Sequence, residues 1–174
     1  LFDQNIVTKI IDAANLQKND FILEVGPGLG VLTGELLKGA GRVTAVELDR
    51  RVIDYLKKAY GQNQKLNLVE GDILKIKPAA LRLEDNYKIV ANLPYNITSH
   101  FIRKFLEAKQ KPTEIILMLQ KEVTKRIIAK LGAMSLLAVS VQFYAEPQVL
   151  FDVSRNSFWP IPKVDSAVIK IKLR

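Results

Sequence analysis

Cysteine is missing from the 174-residue sequence, and histidine occurs once, as His100. The first absence excludes disulfide bonds and thiolate metal sites, and the second excludes a histidine-rich metal site. We therefore expect no bound metal, and a chain without cysteine fits the reducing environment of the cytoplasm. No apolar run approaches the roughly 18 residues that a membrane span needs, so we expect no membrane partner.

The start of the chain also lacks the apolar stretch of a signal peptide, because Asp3, Lys9 and Asp12 interrupt it. Acidic residues are few: 18 Asp and Glu stand against 26 Lys and Arg, which gives a net charge of +8. A basic domain of this size favours a polyanionic partner, most often a nucleic acid, although a merely soluble basic protein is an alternative. The length and the apolar fraction of 48% suit one globular domain, residues 1–174.

Short apolar strands alternate with amphipathic helices along the chain. The predicted strands are 21–25, 42–46, 66–69, 88–91, 114–119, 149–153 and 166–173. The predicted helices are 3–14, 30–38, 50–60, 99–108, 122–130 and 135–144. This order predicts an α/β fold, with a seven-stranded, mostly parallel sheet and helices on both faces. Ligands of such sheets bind beyond the carboxyl ends of the strands.

Glycine recurs at the end of the first predicted strand, in the segment Glu24-Val-Gly-Pro-Gly-Leu-Gly30. Gly26 and Gly28 would let the backbone turn sharply and approach a ligand closely. The spacing differs from the dinucleotide fingerprint and no G-K-[ST] follows, so a P-loop is excluded and an ordinary tight turn is the alternative. Glu47 ends the second strand 21 positions after Gly26, where an acidic residue can accept both ribose hydroxyls of an adenosine. A solvated charge is the alternative for Glu47.

Polar residues also end the third and fourth predicted strands. Asp72 can accept a hydrogen bond from an adenine amino group and Ile73 can lie against the ring, although Asp is also a common helix N-cap. The segment Asn92-Leu-Pro-Tyr95 is either an ordinary turn, since Asn and Pro favour turns, or a source of chemistry beside the adenosine site. The carboxyl ends of parallel strands meet at one edge of a sheet, so we expect one site.

Five ordered motifs carry a resemblance to a known family: E-V-G-P-G-L-G, V-E-L-D, G-D-I, N-L-P-Y-N-I and F-W-P-I-P-K-V-D-S-A-V. Over residues 1–174 the chain resembles the ribosomal RNA adenine dimethyltransferases. The resemblance implies a Rossmann-like class I S-adenosylmethionine-dependent methyltransferase fold. It implies methyl transfer from S-adenosylmethionine to the N6 amines of two adjacent adenines near the 3′ end of small-subunit (16S) ribosomal RNA. The implied partner is that RNA in a pre-ribosomal particle, and we expect the chain to act as a monomer.

The resemblance also implies roles for individual residues. It places Gly26 against the methionine part of the cofactor, Glu47 on its ribose and Asp72 on its adenine. The full implied cofactor-binding set is Leu1, Glu24, Gly26, Gly28, Glu47, Asp72, Ile73 and Asn92. In addition, Asn92 takes the target amine, and two aromatic side chains lie on either side of the target base. The implied catalytic set is Asn92, Leu93, Pro94, Tyr95 and Phe158.

The N-L-P-Y motif suits chemistry on an adenine amine, whose lone pair is delocalised into the ring. The side-chain carbonyl of Asn92 and the backbone carbonyl of Leu93 or Pro94 could each accept one N–H, which would point the lone pair at the sulfonium methyl. Preorganised dipoles would stabilise the charge that develops. A base that leaves its stack gains about 1–3 kcal/mol by stacking on an aromatic side chain. Phe158 and Trp159 could instead pack under the proline loop.

Basic residues lie on two predicted helices, and we expect them to contact RNA phosphates. They are Arg103, Lys104, Lys121, Lys125 and Arg126. A solvated helix face is the alternative for these residues. His100 is expected to lie at the surface without a catalytic role.

The chain departs from the family pattern at its end and in one connection. It stops at Arg174 without the small C-terminal helical domain of the family, and the connection from Lys130 to Met134 is shorter than usual. One alternative is a related enzyme that methylates large-subunit RNA and confers antibiotic resistance, although its motif is usually N-I-P-Y. DNA adenine methyltransferases typically carry D-P-P-Y or N-P-P-Y. A non-catalytic ribosome-assembly factor is the alternative from another class.

Overall fold

Seven strands form one sheet in a computed structural model of the chain, which describes residues 3–174 apart from the side chain of Tyr95. The strands are β1 Phe21–Val25, β2 Arg42–Glu47, β3 Leu66–Glu70, β4 Lys88–Asn92, β5 Glu114–Gln120, β6 Ala145–Val153 and β7 Ser166–Leu173. They lie in the order β3-β2-β1-β4-β5-β7-β6. β7 runs antiparallel to β5 and β6, and the remaining neighbours are parallel. The predicted seven-stranded, mostly parallel sheet is confirmed.

Helices connect most of the strands. They are α1 Gln4–Ala14, α2 Val31–Gly39, α3 Arg50–Tyr60, α4 Thr98–Leu106, α5 Lys121–Ile127 and α6 Leu136–Tyr144, with short 3₁₀ turns at Pro78–Leu81, Tyr95–Ile97 and Arg155–Ser157. Three helices begin one residue later than predicted, because the predicted first residue is the N-cap, and in α1 and α6 the cap is a side chain. The Asp3 carboxylate accepts from the N–H of Asn5 at 3.0 Å, and the Ser135 hydroxyl accepts from that of Ala138 at 3.3 Å. Such caps satisfy N–H groups that the first helical turn leaves free.

The edge strand β6 differs most from its prediction. It begins at Ala145, well before the predicted range 149–153, and it includes Pro147. Proline has no backbone N–H to donate to a neighbouring strand, so a proline in a sequence usually predicts that a strand ends there. Here β6 lies at the edge of the sheet and pairs with β7 on one side, and an edge position tolerates proline.

Helix α5 is shorter than predicted and ends at Ile127 instead of Lys130. The amide nitrogen Nε2 of Gln142 donates to the carbonyl oxygens of Ile127 and Ala129 at 2.8 and 2.9 Å. These bonds satisfy carbonyl groups that the helix end leaves free. The end of α5 at Ile127 therefore depends on the side chain of Gln142 in α6. The sequence of α5 alone could not predict it.

Apolar clusters cover both faces of the sheet. Helices α1 and α2 pack on one face, while α4 and α6 pack on the other. Successive residues of β1 enter opposite clusters, with Ile22 on the α1 side and Leu23 on the α4 side. Because both faces are buried, the strands form continuous apolar runs instead of alternating patterns.

The direction of strand order reverses at β1, since β2 lies on one side of it and β4 on the other. Such a switch point opens a crevice beyond the carboxyl ends of the two strands. Val25 pairs in register with Ala91, so the next residues, Gly26 and Asn92, are neighbours across the crevice. A Cβ atom on Gly26 would lie 3.7 Å from the backbone oxygen of Asn92.

Candidate active site

The loop between β1 and α2 turns in the left-handed region at three glycines: φ is 67° at Gly26, 55° at Gly28 and 77° at Gly30. Glycine adopts this region without steric cost. Packing also excludes a side chain at Gly30, because a Cβ atom there would lie 2.6 Å from Cε2 of Tyr60. The Tyr60 hydroxyl donates to the carbonyl oxygen of Gly30 at 3.0 Å, so α3 holds the end of the loop.

This glycine loop forms one wall of a cavity of about 380 Å³, the loop cavity. Its lining residues are Ile10, Glu24, Gly26, Pro27, Gly28, Leu29, Val31, Leu32, Asn92 and Trp159. Glu24, Gly26, Gly28 and Asn92 of the predicted cofactor-binding set therefore meet in one place. The apolar residues of α1 and α2 were not predicted here, because nothing in the sequence separates them from residues that only fill the core.

Glu24 lines the loop cavity with an almost fully buried carboxyl group, since 1% of the residue is exposed. In the described part of the chain, neither its Oε2 atom nor the hydroxyl of nearby Thr33 has a hydrogen-bond partner. The pKa of Glu24 is raised from 4.5 to about 8, chiefly by burial; the nearby Thr33 hydroxyl partly offsets this rise, and the charge of Glu47 adds to it. Glu24 is therefore mostly a neutral acid at pH 7. An ammonium group that entered the cavity would satisfy Oε2 and favour the carboxylate.

Glu47 ends β2 outside the loop cavity. Its Oε1 atom accepts hydrogen bonds from the backbone N–H groups of Leu48 and Asp49 at 2.8 and 3.0 Å. These two bonds fix the direction of the carboxylate. Among the residues that the structure describes, Oε2 has no hydrogen-bond donor, so both of its lone pairs are available to a ligand.

Asp72 follows β3 and makes the capping contact that was one of its predicted roles. Its Oδ1 atom accepts from the backbone N–H of Leu74 at 2.9 Å, as a helix cap would. Residues 73–76 nevertheless form a turn and not a helix. Ile73 is buried in the apolar cluster under α4, so little of its side chain is open to a ligand. Neither Asp72 nor Ile73 lines the loop cavity.

Lys104, a predicted RNA-binding residue, has its ammonium group hydrogen-bonded inside the protein. Nζ donates to the carbonyl oxygens of Ile73 and Leu74 at 2.8 and 2.7 Å, and also to that of Ile76. Burial lowers the pKa of Lys104, and the charge of Asp72 opposes that shift. An ammonium group has three N–H donors, so none remains for a phosphate. The structure gives Lys104 a role in holding the loop after β3 in place of the predicted RNA contact.

A second cavity of about 260 Å³, the proline cavity, adjoins the loop cavity. Its lining residues are Asn92, Leu93, Pro94, Phe158, Trp159, Pro160 and Pro162. The predicted catalytic residues meet here except for the side chain of Tyr95, which lies outside the described residues, as does Leu1 of the cofactor-binding set. Asn92 and Trp159 line both cavities and so stand at their junction.

The two aromatic residues of the proline cavity differ in exposure. Phe158 is 9% exposed; it packs in the apolar cluster under α1 and also lines the proline cavity. Trp159 is 81% exposed. Nothing in the F-W-P motif marks Trp159 as a site residue, since its second position could equally face solvent.

Two backbone carbonyls near Asn92 were equal candidates as acceptors, and the structure distinguishes them. The carbonyl oxygen of Pro94 already accepts from the N–H of Ile97 at 3.3 Å and from the hydroxyl of Thr98 at 3.5 Å. The carbonyl oxygen of Leu93 has no donor among the residues that the structure describes. Leu93 therefore offers the available backbone acceptor beside the Asn92 amide.

A third cavity of about 550 Å³, the basic cleft, lies beyond the carboxyl end of β5. Its lining residues are Gln120, Lys121, Glu122, Lys125, Arg155, Lys163, Val164 and Asp165. Of the predicted RNA-binding residues, Lys121 and Lys125 line the cleft, whereas Arg103 and Arg126 do not. Arg103 instead lies 3.8 Å from Glu107 in an ion pair.

In the described part of the chain, no helix has the length and apolar character needed to cross a membrane. Residues 3–174, apart from the side chain of Tyr95, also contain no cluster of three or more His, Cys, Asp or Glu side chains placed to hold a metal ion. His100 is exposed, as predicted.

The chain is similar to known proteins in both sequence and fold. A family model described as "Ribosomal RNA adenine dimethylase" matches residues 1–174. The chain is 50% identical over 172 residues to the "Ribosomal RNA small subunit methyltransferase A" of Dehalococcoides mccartyi (strain CBDB1). That match covers 98% of this chain and 59% of the relative, so the chain spans about three fifths of the relative's length.

Solved structures also share the fold, and two examples are at least 30% identical to the chain in sequence. A dimethyladenosine transferase from Plasmodium falciparum is 34% identical with a TM-score of 0.90, and the match covers 100% of this chain and 63% of that one. The 23S rRNA methyltransferase ErmE is 30% identical with a TM-score of 0.88, and the match covers 99% of this chain and 68% of that one.

Proposed function

Because the chain belongs to the ribosomal RNA adenine dimethylase family, we propose that it transfers methyl groups from S-adenosylmethionine to the N6 amine of adenine in ribosomal RNA. The substrate is the pair of adjacent adenines near the 3′ end of small-subunit RNA, and the product is N6,N6-dimethyladenosine. The name of the relative that is 50% identical supports the choice of subunit. Residues 1–174 act as the catalytic domain, as a monomer on a pre-ribosomal particle in the cytoplasm.

The observation that carries this proposal is the position of Asn92, which lines both the loop cavity and the proline cavity. A methyl donor in the first cavity and an adenine in the second would meet at this residue. The side-chain oxygen of Asn92 accepts one N–H of the target amine, and the free carbonyl of Leu93 accepts the other. Two acceptors draw the amine toward tetrahedral geometry and stabilise the positive charge that develops on its nitrogen.

The loop cavity suits the methionine end of S-adenosylmethionine, which supplies a methyl group on a positively charged sulfur when bound. Glu24 accepts a hydrogen bond from the ammonium group through its unpartnered Oε2. The backbone at Gly26 and Gly28 approaches the ligand closely because no Cβ intervenes. Glu47 accepts the ribose hydroxyls through its Oε2, and Asp72 accepts the adenine amino group. Leu1 and the small exposed part of Ile73 complete the cofactor contacts.

The proline cavity receives the target base after it leaves its stack. Tyr95 and Phe158 hold the base between them, and stacking on an aromatic ring contributes about 1–3 kcal/mol. Pro94 fixes the backbone that carries the acceptors, since its ring restricts φ. The proton leaves after methyl transfer, so this step does not need a histidine base, and His100 takes no part.

Methyl transfer to defined RNA substrates tests the proposal. Labelled methyl groups should pass from S-adenosylmethionine to partly assembled small subunits, and mass spectrometry of the digested RNA should detect N6,N6-dimethyladenosine at the adjacent adenines. Asn92→Ala is the matched control and should lose most of the label. If the chain bound S-adenosylmethionine but labelled no RNA, a non-catalytic assembly factor would be the better description.

Large-subunit RNA belongs in the same experiment as a competing substrate. The 30% identity to the 23S rRNA methyltransferase ErmE is the observation that favours this second candidate function. Label in large-subunit RNA in place of small-subunit RNA would support it. The proposed function requires the opposite preference.

A further inference from the structure

We propose that the basic cleft binds one backbone phosphate of single-stranded RNA, next to the nucleotide whose base enters the proline cavity. This inference rests on the proposed function for the identity of the strand. The phosphate ligands are the side chains of Lys125 in α5 and of Arg155 and Lys163 in the connection between β6 and β7. Arg155 and Lys163 were not among the residues predicted to bind RNA.

The geometry of the cleft depends on the connection between β6 and β7. Arg155 lies near the start of this connection and Lys163 near its end, while Lys125 faces them from α5. The two ends are joined by Asp165, whose Oδ1 accepts from the N–H of Arg155 at 2.9 Å. The carbonyl oxygen of Asp165 also accepts from the N–H of Lys121 at 3.1 Å, which ties the connection to the start of α5. These two hydrogen bonds therefore fix the connection between β6 and β7, which carries Arg155 and Lys163, against the start of α5, which carries Lys125.

The charges in the cleft leave three cations without a carboxylate partner. Lys121 is bonded to Asp152, and this contact raises the pKa of Lys121. In the part of the chain that the structure describes, Lys125, Arg155 and Lys163 form no ion pair. The carboxylates of Glu122 and Asp165 also line the cleft. Three cations without an ion pair exceed the two carboxylates by one charge. This balance favours a ligand with a single negative charge, placed between the cations, and disfavours a highly charged anion.

The position of the cleft supplies the reason for choosing an RNA phosphate. The connection between β6 and β7 forms a wall of both cavities: Phe158, Trp159, Pro160 and Pro162 line the proline cavity, and Arg155 and Lys163 line the cleft. Pro162 and Lys163 are consecutive residues, so their Cα atoms are about 3.8 Å apart. A strand whose base enters the proline cavity must pass this wall, and its backbone then lies within reach of the cleft.

Salt dependence of RNA binding tests the proposal, with an oligonucleotide that contains two adjacent adenines as the probe. Lys125→Gln, Arg155→Gln and Lys163→Gln should each weaken binding several-fold at low salt and flatten the plot of log K against log salt. The triple variant should flatten it by about 0.7, the value for one phosphate contact in a single strand. Lys18→Gln is the matched control. It removes one exposed charge just before the amino end of β1, whereas the cleft lies beyond the carboxyl end of β5, and it should leave the slope unchanged.

Three further measurements distinguish the loss of a phosphate contact from misfolding and from a defect in methyl transfer. The affinity for S-adenosylmethionine should stay at the parental value, which shows that the variants are folded. The KM for RNA should rise while kcat at saturating RNA is kept, and Arg155→Lys should recover part of the affinity. Cleft variants with the same salt slope as Lys18→Gln would overturn the phosphate site, even if the parent methylates RNA. Flattened slopes with a parent that transfers no methyl group would support the site and overturn the proposed function.

Discussion

The ammonium nitrogen of Lys104 lies 2.8 Å from the carbonyl oxygen of Ile73, although the two residues are 31 positions apart in the chain. This contact, with those to Leu74 and Ile76, ties helix α4 to the loop that follows β3. Asp72 begins that loop, and its Oδ1 is bonded to the N–H of Leu74 within it. The position of the proposed adenine acceptor therefore depends on a side chain that lines neither the loop cavity nor the proline cavity.

Lys104→Met should weaken S-adenosylmethionine binding about tenfold, or about 1.4 kcal/mol, because the loop loses the donors that fix Asp72. Calorimetric titration of the variant measures the change. Lys109→Met is the control, since it removes an exposed ammonium group just beyond α4. RNA affinity and its salt slope should not change in Lys104→Met. A flattened slope with parental affinity for S-adenosylmethionine would restore the RNA contact that the sequence predicts.

The buried carboxyl of Glu24 should make the stability of the ligand-free protein fall as the pH rises. The pKa of Glu24 is 4.5 in an unperturbed chain and about 8 in the folded protein. Between these values the unfolded chain carries a carboxylate and the folded chain keeps the proton, so folding takes up a proton. The free energy of unfolding therefore decreases through this window, by an amount on the order of a few kcal/mol, and levels off above pH 8.

Denaturant unfolding of Glu24→Gln between pH 5 and pH 9 checks this sign. The amide cannot ionise, so the variant should become more stable than the parent as the pH rises, and the gap should stop growing near pH 8. Glu84→Gln, which changes an exposed carboxyl, should follow the parental curve. A constant difference between Glu24→Gln and the parent across this range would mean that Glu24 is ionised in the folded protein. The measurement needs no ligand, so its outcome is independent of the proposed function.

The sheet and the edge that carries the site could be predicted because their signals are local. Each strand that is buried on both faces forms a short apolar run, and a glycine or polar residue marks its end. Glu47, Asp72 and Asn92 all follow such runs, and parallel strands bring their carboxyl ends to one edge. The errors at the starts of α1 and α6 came from Asp3 and Ser135, which cap these helices instead of extending them.

The remaining features of the site depend on contacts between distant segments, which leave no periodic mark in a sequence. Lys104 has the spacing of a surface cation, yet its bonds go to a loop from another part of the chain. Leu93 and Pro94 were equivalent acceptors until the bonds to the Pro94 carbonyl were known. Trp159 lines two cavities because the connection between β6 and β7 folds over the crevice.

Asn92→Ala should slow the first methylation by about 10²–10³, the usual effect of removing one preorganised hydrogen-bond partner at a reacting centre. The affinity for S-adenosylmethionine should change little, because Glu24, Gly26 and Gly28 still line the loop cavity. Single-turnover methyl transfer and calorimetry measure the two quantities separately. A parental rate of methyl transfer in Asn92→Ala would reduce the N-L-P-Y segment to an ordinary turn.

The second methylation should be less sensitive to the loss of Asn92 than the first. An unmodified adenine amine has two N–H groups and can use both the Asn92 side chain and the Leu93 carbonyl. A monomethylated amine has one N–H left, and the Leu93 carbonyl, which has no other donor in the described part of the chain, can still accept it in the variant. Asn92→Ala should therefore raise the ratio of dimethyladenosine to monomethyladenosine while it lowers the total, and mass spectrometry of digested RNA measures both. An equal loss in the two steps would show that the single N–H of the monomethylated amine is bound by Asn92 and not by Leu93.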